Sequence, residues 1–145
     1  MTTPLLFVDL ETTGLNPRMR WAGILELGLR LVDGDDLDVL QSASWVVTYR
    51  PWQTVTMRAA ADDYVREMHD TSGLWRECSR LDPEPIHPFA DALQWVRMVA
   101  ADPAIPLCGS SVHFDRGWLA VHLPRILEGR THRLADVSAM RELLL

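Results

Sequence analysis

Residues 7–15 read FVDLETTGL, an apolar run that ends in two carboxylates, Asp9 and Glu11. Residues 5–8 are all apolar, and together with the Gly14 that follows they predict a buried strand over 5–10. Alternate residues of a strand point to the same face of the sheet. We therefore expect the two carboxylates to lie side by side at the end of this strand.

Two neighbouring half-buried anions repel each other unless a proton or a cation lies between them. Carboxylate oxygens are ligands that Mg²⁺ and Mn²⁺ prefer. The alternative is that Asp9 and Glu11 lie in a solvated loop, which the strongly apolar preceding residues argue against. The pair therefore predicts a site for a divalent cation.

The composition is that of one globular domain, residues 1–145, large enough to bury a core. Its apolar runs are too short to span a bilayer, and no basic-then-apolar leader precedes the first strand. We therefore expect a cytoplasmic protein without a membrane partner. The two cysteines, Cys78 and Cys108, lack the spacing of a metal site and are expected to be buried thiols.

The net charge of −6 argues against a protein that grips long nucleic acid through a basic surface. It does not exclude a site where metal ions meet the phosphates. All 14 basic residues are arginine, which suits bidentate phosphate contacts, although a GC-biased genome explains this equally well.

Hydrophobic periodicity predicts a sheet that opens with three strands and continues with alternating helices and strands. The predicted strands are 5–10, 24–32, 37–49, 105–109 and a short piece near 133–135, and the predicted helices are 57–69, 71–78, 88–101, 115–122 and 137–145. A turn at 33–36 joins the second and third strands as antiparallel neighbours, and Asp-Pro-Glu-Pro at 82–85 predicts a break. This order predicts an α/β fold with a mixed sheet flanked by helices.

A third carboxylate follows a second short strand, in residues 109–115, which read GSSVHFD. On its own, Asp115 is explained by the favourable interaction of an acid with a helix N-terminus. Together with Asp9 and Glu11, it completes the set that a two-metal phosphodiesterase needs. In such a site one ion activates a water and the other stabilises the leaving oxygen.

The motifs as a set resemble oligoribonuclease, a family within the DEDD superfamily of 3′→5′ exonucleases. The matching segments are DLETTGL at 9–15, MHDTSGL at 68–74, CGSS at 108–111 and LADVS at 134–138. The likeness runs over nearly the whole chain, although DLETTG alone fits many DEDD exonucleases. It implies a ribonuclease H-like fold, in which a three-stranded antiparallel meander is extended by parallel strands.

The resemblance also implies roles for individual residues. It assigns Asp9, Glu11 and Asp115 to Mg²⁺ or Mn²⁺, with two ions in the family and one or two expected here. The remaining positions implied to bind substrate are Leu15 as a wedge against a terminal base, Tyr64 as its stacking partner, and His69 and Ser110 as phosphate contacts. Stacking tolerates any base, and a protonated histidine can donate to phosphate. From the residues alone, packing or surface roles fit these positions as well.

The implied substrates are very short oligoribonucleotides, down to dinucleotides, with 5′-mononucleotides as products. The family is dimeric, and His132 falls where an aromatic residue of one subunit approaches the site of its partner. Homodimerisation is therefore expected.

The family carries a third motif, in which a histidine is followed five residues later by an aspartate. They are the general base and the last metal ligand. The printed chain reaches Leu145 before this motif, so we expect a C-terminally incomplete fold. His132 and Asp136 imitate the motif with a spacing of four, and Asp136 is better explained as a helix N-cap. Three further histidines are not expected to act as a base: His87, His113 and His122.

Three functions remain open from the sequence. The first is a metal-dependent 3′→5′ exoribonuclease. The second is a module that binds a dinucleotide, a metal or a partner subunit without cutting. The third is a DNA-directed exonuclease of the proofreading kind.

Overall fold

A computed structural model describes residues 3–80 and 87–138 of the chain. The predicted break at 82–85 and most of the predicted helix 137–145 lie outside these residues. The elements in chain order are β1 (Leu5–Thr12), β2 (Ile24–Val32), β3 (Val39–Val46), α1 (Pro51–Ala60), α2 (Asp63–Ser72), α3 (Leu74–Cys78), α4 (Pro88–Val99), β4 (Leu107–Gly109), α5 (Val112–His122), a 3₁₀ helix (Pro124–Leu127) and β5 (Leu134–Asp136).

The five strands form one mixed sheet in the order β3-β2-β1-β4-β5. Strands β1 to β3 pair as an antiparallel meander, and β4 and β5 add to it in parallel. The predicted mixed sheet with flanking helices is thus confirmed. Strand β1 lies at its centre, and its apolar half is held between β2 and β4.

One face of the sheet is buried against α4 and α5. The inward side chains of β1 are Leu6, Val8 and Leu10, which are at most 7% exposed. They pack in one cluster with Val96 of α4 and Leu119 of α5. Each such side chain contributes about 2 kcal/mol through removal of apolar surface from water. Because the residues alternate, the side chains of Asp9 and Glu11 point away from this core.

A β-bulge connects the sheet to a second, smaller core. Glu11 pairs with Glu26, but Thr12 pairs with Ile24, which leaves Leu25 without a partner in β1. The fully buried Leu25 packs instead among α1, α2 and α3, where its neighbours include Met57, Val65 and Trp75. The bulge therefore fixes this helical layer against the end of β1 that carries the carboxylates.

The predicted helix 57–69 is wrong in its extent, because two helices cover this region. Helix α1 begins at Pro51, a residue that suits the first helical turn, and α2 begins after Asp62, whose side chain accepts the backbone N–H of Val65 at 2.8 Å. Neither Thr71 nor Ser72 caps the next helix, since α2 runs to Ser72 and Gly73 adopts φ +78 at its end.

Three other predicted boundaries shift. Strand β1 continues to Thr12, β3 is shorter than 37–49, and α5 begins at Val112 rather than at 115. Leu37 adopts φ +64 and belongs to the turn, which explains the late start of β3. Cys78 and Cys108 are buried free thiols, as expected. None of the helices in the described residues has the length and apolar character needed to cross a bilayer.

The N-cap of α2 gives a first testable prediction. Asp62→Ala removes the acceptor for the Val65 N–H and should lower the free energy of unfolding by about 1 kcal/mol, measured by urea denaturation. The control is Asp63→Ala, which removes a fully exposed carboxylate that pairs with Arg66 at 2.8 Å. Its effect should be clearly smaller. Equal losses in the two variants would contradict the capping role.

Candidate active site

Asp9 and Glu11 occupy alternate positions of β1 on the face opposite the main core. Asp9 is exposed, and Glu11 is half-buried. In the antiparallel pairing with β2, Asp9 lies opposite Gly28 and Glu11 lies opposite Glu26. The predicted side-by-side arrangement therefore depends on the strand continuing past both residues.

Asp115 comes from the first turn of α5 and is only 6% exposed. Its Oδ1 accepts the backbone N–H of Leu10 at 3.3 Å, and Leu10 stands between the two carboxylates of β1. Strand β4 pairs with β1 only at Leu6 and Phe7. The start of α5 therefore takes over where β4 ends, and it brings the Asp115 carboxylate to the backbone of Leu10, between Asp9 and Glu11.

The carboxylates of this site carry like charges, which repel one another. Burial raises the pKa of Asp115 to about 6, and the negative charges of Asp9 and Glu11 add to the increase. Burial also raises the pKa of Glu11, His69 opposes this increase, and the charges of Asp9 and Glu26 add to it. A cation at this position would stabilise the ionised form of every carboxylate in the group.

The donor set fits Mg²⁺ or Mn²⁺ with incomplete protein coordination. All the candidate ligands are carboxylate oxygens, the type that these ions prefer. Within residues 3–80 and 87–138, no three or more acidic, histidine or cysteine side chains lie close enough together to hold a metal ion by themselves. Mg²⁺ commonly binds through one or two carboxylates and completes its shell with water and substrate phosphate. Asp9 and Glu11, on alternate positions of β1, could supply one or two carboxylates of this kind.

Glu26 is a fourth carboxylate that sequence reasoning did not assign to the site. It faces Glu11 directly across the β1–β2 pair. Burial raises the pKa of Glu26, and the charges of Glu77 and Asp9 raise it further. Only the strand register, which the bulge at Leu25 determines, shows that this carboxylate belongs with the others.

A cavity of about 390 Å³ adjoins Glu11 and brings together two of the predicted substrate residues. Leu15 and Tyr64 both line it, and their side chains are 81% and 76% exposed. Met68 and the partly buried Phe114 complete its apolar wall. We call this cavity the carboxylate groove. Phe114 immediately precedes Asp115 in the chain. This adjacency is the feature of the sequence from which Phe114 could have been assigned to the site.

His69, predicted to contact a phosphate, is buried behind the end of β1. It is 1% exposed, and its Nε2 donates to the backbone carbonyl of Thr12 at 2.8 Å. Its ring meets Trp75 edge-on, with 5.5 Å between ring centroids. In this structure His69 supports the end of β1 from behind and is absent from the lining of the carboxylate groove.

Ser110 follows β4 and lines a broad cavity of about 780 Å³ over the open sheet face, which Asp9 also lines. Its Oγ lies 2.6 Å from the Oγ of Ser138. The backbone N–H of Ser111 donates to Asp136 Oδ1 at 3.1 Å and lies 3.2 Å from Ser138 Oγ. The structure thus joins the two segments after β4 and β5 into one polar cluster, which their separation in sequence concealed.

The remaining histidines occupy other positions. His122 Nε2 donates to the carbonyl of Pro17 at 2.9 Å, and His113 Nδ1 lies 3.9 Å from Asp136 Oδ2. His132 is exposed and precedes β5, and His87 precedes α4. Among the described residues, no histidine lines either of the cavities that contain Asp9 or Glu11.

Comparison with known proteins finds oligoribonucleases among the relatives of this chain. No protein-family model matches the chain. The oligoribonuclease of Thiobacillus denitrificans is 30% identical over 141 residues, which cover 97% of this chain and 74% of the relative. That of Vibrio campbellii is 28% identical and covers 96% and 74% of the two chains. The mitochondrial oligoribonuclease of Mus musculus is 28% identical and covers 99% of this chain and 58% of the relative.

Solved structures show the same fold at lower identity. A product-bound exonuclease I aligns over 99% of this chain with a TM-score of 0.61 and 13% identity. E. coli exonuclease I in complex with a dA13 oligonucleotide gives a TM-score of 0.60 and 12% identity. The chain spans about a third of these proteins, 32% and 30% of their length. The predicted ribonuclease H-like exonuclease fold is confirmed by these matches.

The buried carboxyl of Asp115 gives a second testable prediction. Its pKa is about 6 in the folded protein against an ordinary value of 3.8, so the folded state binds this proton more tightly than the unfolded state. The free energy of unfolding of the metal-free protein should therefore fall as pH rises from about 4 to 6, by up to about 3 kcal/mol.

Asp115→Asn keeps an oxygen acceptor for the Leu10 N–H and removes the ionisation. In urea denaturation with EDTA, the variant should be more stable than the wild type at pH 7.5 and flatter between pH 4 and 6. Added Mg²⁺ should stabilise the wild type more than the variant. An unchanged pH slope in Asp115→Asn would show that another group carries the effect.

Proposed function

The chain belongs to the oligoribonuclease family, and from this premise we propose that it is a metal-dependent 3′→5′ exonuclease that converts very short oligoribonucleotides to 5′-mononucleotides. The observation that supports this most directly is the hydrogen bond that holds Asp115 at Leu10, between Asp9 and Glu11, next to an apolar groove that Glu11 lines. The carboxylates repel one another without a cation, and the groove lies where a terminal nucleoside would sit.

Asp9, Glu11 and Asp115 would hold Mg²⁺ or Mn²⁺. Such an ion, when bound, lowers the pKa of a water and neutralises charge at the scissile phosphate. The protein supplies the rest of the site. The Leu10–Asp115 hydrogen bond keeps the α5 carboxylate in place, and the buried side of β1 keeps Asp9 and Glu11 on a rigid element.

Substrate binding in this proposal combines stacking with a few polar contacts. The terminal base would pack between Leu15 and Tyr64, and Ser110 would contact a phosphate from the end of β4. Stacking on an aromatic ring accepts any base. His69 would reach the same phosphate only after turning away from the Thr12 carbonyl and from Trp75, so phosphate binding would compete with its present hydrogen bond.

Short substrates are favoured by the charge of the protein. With a net charge of −6, the chain lacks the electrostatic attraction that holds long nucleic acid.

We further propose a cytoplasmic homodimer, as the family resemblance implies, in which His132 approaches the site of the partner subunit. Sedimentation of the wild type and of His132→Ala tests that arrangement.

A second candidate function is binding of a dinucleotide without turnover. It is favoured by the positions of the histidines, because His69 and His122 both hold backbone carbonyls and no described histidine lines the cavities of Asp9 and Glu11. Among the described residues, these two cavities then offer no histidine to accept the proton of the attacking water. Calorimetric binding of a dinucleotide without product formation would favour this candidate.

Turnover itself is the third prediction. Incubation with a labelled diribonucleotide and Mn²⁺ should release mononucleotide, and Asp9→Asn should reduce the rate at least 100-fold, since it removes a charged ligand. Asp63→Asn, an exposed acid on α2, is the matched control and should retain the wild-type rate. The same assay with a deoxydinucleotide tests the DNA-directed alternative, because discrimination depends on contact with the 2′-hydroxyl. Absence of any Asp9-dependent product would reject the exonuclease proposal.

The carboxylate groove gives the fourth prediction. Tyr64→Ala should weaken dinucleotide binding about tenfold through lost stacking, whereas Tyr64→Phe should bind like the wild type. Met98→Ala on α4 removes a side chain that is also 76% exposed and serves as the control. Binding is measured by calorimetry. Wild-type affinity in Tyr64→Ala would remove this residue from the substrate site.

A further inference from the structure

A cavity of about 310 Å³ lies in the helical layer and is lined by residues of α1, α2 and α3. We call it the helical-layer cavity. Among the described residues, none lines both this cavity and the carboxylate groove. Its polar lining consists of Thr54, Arg58, His69, Asp70, Arg76 and Ser79. The cavity is therefore separate from the carboxylate centre and differs from it in chemistry.

Thr54 contributes a buried hydroxyl to this lining. The residue is 3% exposed, and its Oγ1 has no hydrogen-bond partner among the described residues. The backbone N–H of Thr54 donates to the Arg50 carbonyl at 3.1 Å, so the backbone makes the helical hydrogen bond without the side chain. A buried hydroxyl is unfavourable unless some group satisfies it. A molecule bound in the cavity could accept its hydrogen bond.

Two guanidinium groups line the same cavity. Arg58 lies four residues after Thr54, on the same face of α1. Gly73 ends α2 with φ +78 and turns the chain into α3, which carries Arg76 to the cavity. Within the described part of the chain, no acidic side chain lies within salt-bridge distance of Arg76. A guanidinium offers paired N–H donors that match the oxygens of a phosphate.

The one acid in the described lining, Asp70, is already paired. Its two oxygens accept hydrogen bonds from Nε and Nη2 of Arg58, which leaves Nη1 of Arg58 outside this pair. The Ser79 hydroxyl donates to the Trp75 carbonyl at 2.9 Å and has no second proton to give. The cavity thus sets two guanidinium charges against one carboxylate, in a protein with a net charge of −6. Its local charge favours an anion.

We propose that the helical-layer cavity binds a phosphate group, either inorganic phosphate or a phosphate monoester. The donors are the Thr54 hydroxyl, the Arg76 guanidinium and Nη1 of Arg58. The several oxygens of a phosphate can accept from all three at once. His69 lines the cavity without serving as a donor, because its neutral ring has one N–H and Nε2 gives it to the Thr12 carbonyl. The site needs no metal ion.

The experiment titrates the full chain with inorganic phosphate and, separately, with glycerol 3-phosphate, and follows amide NMR spectra. EDTA is present throughout, because carboxylates without a cation repel phosphate, so the result is independent of the exonuclease proposal. Saturable shifts should concentrate on the amides of residues 54–58 and 73–79, and the affinity should fall as ionic strength rises. Binding of both ligands assigns a general phosphate site, and binding of inorganic phosphate alone restricts it to the free ion.

Two variants test the donors. Thr54→Val removes the hydroxyl at nearly constant shape, and Arg76→Gln removes the unpaired charge. Each should weaken phosphate binding about tenfold, as expected for one lost hydrogen bond to a charged group. The matched control is Arg97→Gln, which makes the same change of charge at an exposed arginine of α4 outside the cavity. It should bind phosphate like the wild type.

Urea denaturation in phosphate-free buffer separates a binding role of Thr54 from a structural one. Thr54→Val should be at least as stable as the wild type there, because the variant loses a buried hydroxyl that has no partner. A less stable variant would show that the hydroxyl serves the fold and would contradict the proposal. A wild type without saturable shifts at residues 54–58 and 73–79 overturns it, as do wild-type affinity in both cavity variants and an equal loss in Arg97→Gln.

Discussion

The hydrogen bond from the Leu10 N–H to Asp115 holds the site together. It joins two residues 105 positions apart in the chain, and it is buried. Strand β1 and helix α5 approach at this point because the short strand β4 ends early, which leaves room for the first turn of α5. An ionised side chain at 6% exposure is unfavourable without partners, so this one bond determines where the third carboxylate can rest.

The same constraint gives the site its electrostatic character. Burial raises the pKa of Glu11, Glu26 and Asp115 near this end of β1, and the negative charge of Asp9 raises the pKa of all three further. Among the described residues, little offsets this: His69 opposes the increases in the pKa of Glu11 and Glu26. The site is therefore one that a divalent cation and a phosphate complete together.

The helical layer α1–α3 supplies the substrate side. The bulge at Leu25 directs the Leu25 side chain towards the second core. His69 of α2 donates a hydrogen bond to the Thr12 carbonyl. These contacts bring Tyr64 and the loop bearing Leu15 to the lining of one groove. On the other side of Leu15, Trp21 and Arg20 line a second cavity, so the loop after β1 borders two neighbouring cavities.

Much of this could be predicted from local patterns. The apolar run of residues 5–8, the spacing of Asp9 and Glu11, and the antiparallel meander follow from strand alternation and turn chemistry, which act between near neighbours. The boundary between α1 and α2 does not follow from the apolar periodicity of this region, which is weak. It is set by the Asp62 side chain, which accepts the Val65 N–H and caps α2.

The sequence by itself determined the fold class, the carboxylate pair and the family, because each is written in short segments. Only the tertiary structure decided that Glu26 faces Glu11, that His69 lies behind β1 and that Ser110 meets Ser138. It also decided that Trp21 lines a cavity beside Leu15. Each of these depends on strand register, on a bulge or on backbone strain, and such features arise from packing between segments that are distant in sequence.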